Sequence, residues 1–95
     1  MWEIFGSRRV GKQFDGMDKP LRGFYDNELA NLELNPYDGK KITGHDNLWS
    51  WKVYTPYGKH RILYRIKEED KVVYVILIGT RESIYDLLKR SGKKY

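Results

Sequence analysis

From Trp49 onward the hydrophobic residues no longer recur at the three- and four-residue intervals of a helix but at every second position. This change in spacing limits the fold more than any other feature. In "WSWKVYTPYGKHRILYRI" large apolar residues recur at every second position, as on β-strands with one buried face. "VVYVILIG" follows as an almost continuous apolar run, which is typical of a central strand covered on both faces. The second half of the chain is therefore predicted to form three strands of one sheet.

The first two of these strands form a predicted hairpin that sorts its side chains onto two faces. "PYGK", residues 56–59, is the predicted four-residue connection, which places Val53 opposite Ile62 and Tyr54 opposite Arg61. A shift by one residue would turn the apolar side chains to the wrong face. The apolar face holds Trp49, Trp51, Val53, Ile62, Tyr64 and Ile66, and the other face presents Lys52, Tyr54, Arg61 and Arg65.

The first half of the chain has the pattern of one short strand and two helices. The strand ends near Gly6, and Ser7 is placed to cap the helix that follows. Apolar residues at three- and four-residue intervals between Lys19 and about Leu34 predict a second helix. In the second half of the chain, the same kind of spacing predicts a third helix from Ser83 to Arg90. The order β-α-α-β-β-β-α describes one α+β domain over residues 1–95, with a small antiparallel sheet and the helices gathered on one face.

The composition favours an anionic partner and excludes several kinds of site. Lys and Arg number 18 against 13 Asp and Glu, a net charge of +5. Such a basic domain suits nucleic acid, although the same charge also aids solubility. The chain has no cysteine, and His45 and His60 lie far apart, so we expect neither a metal nor a cofactor. Without a membrane-length apolar run or a signal-peptide pattern, we expect a cytoplasmic protein with no membrane partner.

The polar face of the hairpin concentrates cations beside phenol rings. RNA cleavage by a ribose 2′-hydroxyl needs a proton acceptor, a proton donor and positive charge beside the phosphorane, and lysine, tyrosine and arginine can fill these roles. A merely solvated sheet face explains the same residues, and an ion pair with Glu3 or Asp86 would explain Arg61. His60 is expected at the surface, within reach of a phosphate. The candidate set is Lys52, Tyr54, Arg61 and Arg65, with Arg81 and Tyr85 just beyond the last strand.

Several segments together resemble the RelE branch of the RelE/ParE toxin superfamily. "WEIFGSRRVGKQF" resembles the first strand and helix of that family, and "NPYDGKKITG" resembles the segment after its second helix. The succession of "KHRILYRI" and "VVYVILIGTRESIY" is the most specific part, because it resembles the order and spacing of the family's last strands and tail. The resemblance covers nearly the whole chain.

This resemblance implies the toxin of a type II toxin–antitoxin pair, acting as a ribosome-dependent endoribonuclease that cuts mRNA without metal and inhibits translation. Its implied partners are a cognate antitoxin, the ribosome and mRNA. Lys52 or Tyr85 would handle the proton of the 2′-hydroxyl, while Arg61 and Arg81 would stabilise the phosphate. The implied catalytic residues are Lys52, Arg61, Arg81 and Tyr85, and the expected RNA-binding residues are Tyr54, Lys59, His60 and Arg65.

Two other functions remain compatible with the same fold. A ParE-like inhibitor of DNA gyrase would not need the four implied catalytic residues to converge. A non-catalytic RNA-binding relative is the other alternative, because Tyr54 stands where RelE relatives often have a second lysine. Tyr85 also follows Arg81 at a slightly shorter spacing than in the best-known members, which leaves the division of acid and base roles open.

Overall fold

The structure is a computed structural model of the chain, and it describes residues 1–91. Residues 92–95 of the predicted domain lie outside the described part. The predicted α+β class and the order β-α-α-β-β-β-α are confirmed, with a 3₁₀ turn and a two-residue strand added after the second helix. The elements are β1 (Glu3–Gly6), α1 (Arg8–Asp15), α2 (Lys19–Leu34), the 3₁₀ turn (Pro36–Asp38), β2 (Lys40–Lys41), β3 (Trp49–Thr55), β4 (Gly58–Lys67), β5 (Val72–Thr80) and α3 (Arg81–Ser91).

The sheet has the strand order β1-β5-β4-β3-β2. Neighbouring strands are antiparallel from β2 to β5, whereas β1 runs parallel to β5, so the sheet is mixed and not wholly antiparallel as predicted. β5 has a strand on each side, as its continuous apolar run predicted. No helix within residues 1–91 is both long enough and apolar enough to cross a bilayer.

One face of the sheet is covered by α1 and α2. The hydroxyl oxygen of Ser7 accepts a hydrogen bond from the Val10 N–H at 3.2 Å, which confirms Ser7 as the cap of α1. Each apolar side chain buried in this layer contributes roughly 1.5–3 kcal/mol to folding. The buried members are Val10, Tyr25, Leu32, Val53, Ile62, Tyr64, Ile66, Val73, Val75 and Ile78.

α3 lies on the opposite face, so the prediction that all helices gather on one face is wrong. Leu63 and Leu77 alternate with the residues of the first core, and they therefore point away from α1 and α2. α3 covers them with Ile84, and a second, smaller core results. Gly79 permits this close approach, because a Cβ there would lie 2.8 Å from the Ser83 hydroxyl oxygen.

The β3–β4 hairpin closes with a two-residue turn, residues 56–57, instead of the predicted four-residue connection. The Thr55 hydroxyl accepts a hydrogen bond from the Tyr57 N–H and donates one to the Gly58 carbonyl, each at 2.9 Å. Gly58 has a φ of +119°, a conformation that favours glycine. The predicted pairs are therefore wrong by two residues, and Lys52 lies opposite Arg61. A shift of two keeps every side chain on its predicted face.

Candidate functional site

A cleft of about 230 Å³ opens on the α3 side of the sheet, where β3 ends and β4 begins. The two strands and the first turns of α3 form its walls. All four implied catalytic residues line it, and no carboxylate of residues 1–91 does. The lining residues are Lys40, Lys52, Tyr54, Lys59, His60, Arg61, Arg81 and Tyr85.

Lys52 and Arg61 form a directly opposed cross-strand pair in this cleft. Like charges in that arrangement are destabilising, and an anion bound between them reverses the effect. The Arg61 side chain is only 7% exposed, and its Nη1 donates a hydrogen bond to the Ser50 hydroxyl at 3.3 Å. The guanidinium group is therefore held in a fixed place with donors left over for a phosphate.

Arg81 and Tyr85 reach the cleft from the same side of α3, since they are four residues apart. The Arg81 guanidinium carbon lies 5.6 Å from the centre of the Tyr85 ring, and that of Arg61 lies 6.0 Å from it. Cation–π attraction acts over such distances. The phenol ring of Tyr85 is thus flanked by two guanidinium groups.

Within residues 1–91, Arg61 does not form the ion pair with Glu3 or Asp86 that would give it a purely structural role. The contacts that Arg61 makes there are the hydrogen bond to Ser50 and the ring contact with Tyr85. Arg61 therefore has no carboxylate partner in the described structure that would compete with a bound anion.

Tyr54 and Lys59 lie at the rim of the cleft, where they were expected. They face each other across the β3–β4 hairpin. The Tyr54 side chain is 61% exposed, so its ring is available for stacking on a base. Their role in RNA binding stays a prediction.

The expectation that His60 is a surface residue is wrong. His60 is only 8% exposed, and its imidazole Nδ1 lies 2.8 Å from the hydroxyl oxygen of Tyr25 in α2. Burial lowers the pKa of His60, which favours the neutral ring. The alternation that places Ile62 and Tyr64 in the core also places His60 there, two residues earlier on β4. His60 lines the cleft, but Nδ1 of its imidazole is engaged by Tyr25, and its role in RNA binding stays a prediction.

Arg65 shares the predicted face with Arg61 but does not line the cleft. It lies four positions farther along β4, roughly 13 Å away at the usual rise of a strand. The buried side chain of Leu63 lies between the two arginines under α3. The Nη1 of Arg65 donates a hydrogen bond to the Asp46 carbonyl at 2.7 Å.

A second depression of about 410 Å³ adjoins the cleft and contains residues that the sequence analysis missed. Lys40 lines both depressions, because the unpredicted strand β2 pairs it with Ser50 of β3. Glu28 and Asp38 line only the second depression. Their carboxylates repel phosphate there, so the electrostatics favour the cleft as the place for an anion. The basic pair that follows "NPYDG" is the feature of the sequence that points to Lys40.

No cluster of three or more His, Cys, Asp or Glu side chains suited to a metal ion occurs among residues 1–91. The chemistry that the cleft itself offers is positive charge together with the amino and hydroxyl groups of lysine and tyrosine.

Comparisons with known proteins agree on the fold. The sequence profile of the family described as "ParE toxin of type II toxin-antitoxin system, parDE" matches residues 12–85. A chain of the intact E. coli RelBE toxin–antitoxin complex is similar, with a TM-score of 0.73 and 20% identity over 84% of this chain and 96% of that one. A mutant of E. coli RelE in the free state is also similar, with a TM-score of 0.71 and 20% identity over 94% of this chain and 96% of the mutant chain.

An archaeal example is a chain of the RelE–RelB complex from Pyrococcus horikoshii OT3. It has a TM-score of 0.64 and 20% identity over 84% of this chain and 94% of that one. A search of curated protein sequences found no match. At identities near 20% the solved structures show the shared fold, and the chemistry has to be argued from the cleft itself.

Proposed function

The chain belongs to the ParE toxin family of type II toxin–antitoxin systems, and from this premise we propose that it is an endoribonuclease that cuts mRNA on the ribosome. It acts without a metal ion and inhibits translation in the cytoplasm. The observation that supports this function most is the convergence of Lys52, Arg61, Arg81 and Tyr85 in one cleft.

In the proposed reaction the 2′-oxygen of a ribose attacks the adjacent phosphorus. Lys52 or Tyr85 accepts the proton of the 2′-hydroxyl, and the 5′-oxygen leaves with a proton from the other residue or from water. Arg61 and Arg81 stabilise the negative charge that develops on the phosphorane. The bond from phosphorus to the 5′-oxygen breaks, and a 2′,3′-cyclic phosphate remains.

Dependence on the ribosome follows from what the cleft lacks. It is small, and within residues 1–91 it contains no pairing of a histidine with a carboxylate to act as a strong general base. Much of the rate must then come from holding the RNA with its 2′-oxygen in line with the scissile bond. An mRNA held by the ribosome supplies that order, so we expect little cleavage of free RNA.

Primer extension on mRNA taken from translating ribosomes tests the proposal. The wild type should cut within the message, and Arg81→Ala should cut roughly 10²–10³-fold more slowly, because it removes charge stabilisation of the phosphorane. Arg90→Ala is the matched control, since Arg90 lies on the last turn of α3 and does not line the cleft. Equal cleavage by wild type and Arg81→Ala would exclude the proposed mechanism.

Inhibition of DNA gyrase is a second candidate function, because the matched family profile carries the ParE name. A gyrase inhibitor needs no convergent set of proton-transfer and phosphate-binding residues. A supercoiling assay alongside the primer extension separates the two functions. Blocked gyrase together with intact mRNA would establish the second candidate in place of the first.

We also propose a cognate antitoxin that neutralises the cleft. The similar structures include RelE bound to an antitoxin RelB peptide, and the excess of cations in this cleft suits acidic residues of such a partner. A partner that displaces α3 would act equally well, since α3 packs on a small core. Arg61→Ala and Arg65→Ala should both weaken binding of the co-expressed antitoxin, with the larger loss for Arg61. Unchanged affinity of both variants would contradict this proposal.

A further inference from the structure

Directly behind the cleft, on the α1 and α2 face of the sheet, two aromatic side chains form a buried polar pair. The Tyr25 hydroxyl oxygen lies 2.8 Å from Nδ1 of His60, and the two rings meet edge to face with centres 5.5 Å apart. Tyr25 is fully buried, and His60 nearly so. His60 was an expected RNA-binding residue because it precedes Arg61 in the hairpin, and neither residue has a part in the mechanism described above.

Both groups of this pair are uncharged at neutral pH. Burial raises the pKa of the Tyr25 phenol and lowers the pKa of His60. The phenol therefore keeps its proton, and it donates to Nδ1 in the tautomer of the imidazole that carries its proton on Nε2. The hydroxyl thus joins α2 to β4 at His60, and Tyr25, His60 and Gly79 of β5 line one depression on this face of the sheet.

The position of this junction relates it to both arginines of the cleft. His60 immediately precedes Arg61 on β4, and Gly79 is the cross-strand partner of Arg61. Gly79 also lies two residues before Arg81, which begins α3. On the opposite face the first turn of α3 leaves no room for a Cβ at Gly79. The backbone that carries both arginines is therefore held from both faces of the sheet.

α1 reinforces the same end of β5. The Gln13 Nε2 donates a hydrogen bond to the Ile78 carbonyl at 3.0 Å, and the Phe14 ring meets the Tyr25 ring edge to face at 5.7 Å. The Phe14 ring and complete burial leave Tyr25 little freedom to move away from His60. A buried ring nitrogen such as Nδ1 is costly to leave without a hydrogen-bond partner, so loss of the hydroxyl favours a shift of β4.

We infer that Tyr25 and His60 are positioning residues for the cleavage reaction, and that their hydrogen bond fixes the backbone from which Arg61 and Arg81 reach the phosphate. The inference rests on the proposed function. Its physical basis is that displacements of a fraction of an ångström at a catalytic group lower the rate without lowering the affinity for the substrate.

Tyr25→Phe tests the inference, because it removes the hydroxyl and leaves the ring. The readouts are the single-turnover cleavage rate on ribosome-bound message and the affinity for the ribosome, at a temperature where unfolding curves show every variant fully folded. Tyr25→Phe should slow cleavage roughly tenfold and leave the affinity unchanged. Tyr74→Phe is the matched control, since Tyr74 is exposed on β5 opposite Arg65, and it should cleave at the wild-type rate.

Two substitutions at His60 separate the hydrogen bond from the packing. His60→Asn keeps an acceptor near the position of Nδ1 and should retain most of the cleavage rate. His60→Leu fills the space without an acceptor and should be as slow as Tyr25→Phe. A purely structural role predicts instead that both variants cleave equally fast once they are folded.

Three results would overturn the inference. The first is wild-type cleavage by folded Tyr25→Phe and His60→Leu. The second is a loss of ribosome affinity that accounts for the whole loss of activity. The third is the absence of cleavage by the wild type itself, which refutes the proposed function and the inference with it. Because the wild type is measured in the same series, failure of the inference alone is distinguishable from failure of the function.

Discussion

The two faces of the sheet are built from alternating residues of the same strands, but they differ in how their polar groups are satisfied. On the α1 and α2 face, the Tyr64 hydroxyl donates a 2.7 Å hydrogen bond to the Pro36 carbonyl, and the aromatic rings pack on one another. On the cleft face, Lys52 and Arg61 oppose each other without a carboxylate partner within residues 1–91. On the first face the Tyr64 hydroxyl is paired within the chain, whereas the second face leaves two cations available to bind an anion.

This difference separates the residues that stabilise the fold from the residues that are proposed to take part in the reaction. Substitutions on the core face are expected to change the free energy of unfolding. Substitutions in the cleft are expected to change the cleavage rate, and removing one of two opposed cations costs the fold little. The predictions below test that separation.

The largest effect is expected for Lys52→Met, which removes a cation and a proton-transfer group from the cleft. Cleavage of ribosome-bound message should fall roughly 10²–10³-fold, while the unfolding midpoint stays close to that of the wild type. Lys67→Met is the control, because Lys67 ends β4 at the far end of the strand from the cleft. Equal activity of these two variants would remove Lys52 from the mechanism.

Gly39→Ala should act on the core face through stability. A Cβ at Gly39 would collide with the Tyr64 hydroxyl and lie 3.0 Å from the Ser50 carbonyl. The expected cost is about 1–3 kcal/mol of unfolding free energy, measured by urea denaturation. Gly23→Ala is the control in the middle of α2, where a Cβ meets no atom within 4 Å. It should stabilise the chain by about 0.5–1 kcal/mol, and a loss of stability there would contradict the packing described.

A smaller, pH-dependent effect is expected from His60. Because burial lowers its pKa, the unfolded chain binds the proton more readily than the folded one. The stabilising contribution is therefore complete above the ordinary histidine pKa of about 6.5 and is lost as the pH falls below it. Urea denaturation between pH 7.5 and 5 measures this, with His60→Asn as the control that lacks the titrating ring. The same pH dependence in both proteins would show that His60 is not its source.

The alternation of side chains made the two faces predictable from the sequence, but not the hairpin register. The period of two survives a shift of two residues, so it does not distinguish a four-residue connection from the observed turn at residues 56–57. Only the hydrogen bonds of Thr55 and the conformation of Gly58 make that choice. The correct register matters for the site because it brings Lys52 directly opposite Arg61.

Two other features needed the three-dimensional structure. Ile84, Leu87 and Leu88 predict a helix with an apolar side without showing which face of the sheet it covers, although Leu63 on the polar face of β4 was the available clue. Lys40 enters the site through β2, a two-residue strand too short to give a periodic pattern. By contrast, Arg81 and Tyr85 were placed correctly, because their spacing puts both on one side of α3.

Neighbouring residues of β4 allow the most direct test of the separation between the two faces. Arg61→Gln and Ile62→Val should be measured side by side for unfolding free energy and for cleavage of ribosome-bound message. We predict that Arg61→Gln lowers the cleavage rate roughly 10²-fold with little change in stability, and that Ile62→Val costs about 0.5–1.5 kcal/mol of stability with cleavage retained. Loss of cleavage by folded Ile62→Val, or full cleavage by Arg61→Gln, would contradict the account.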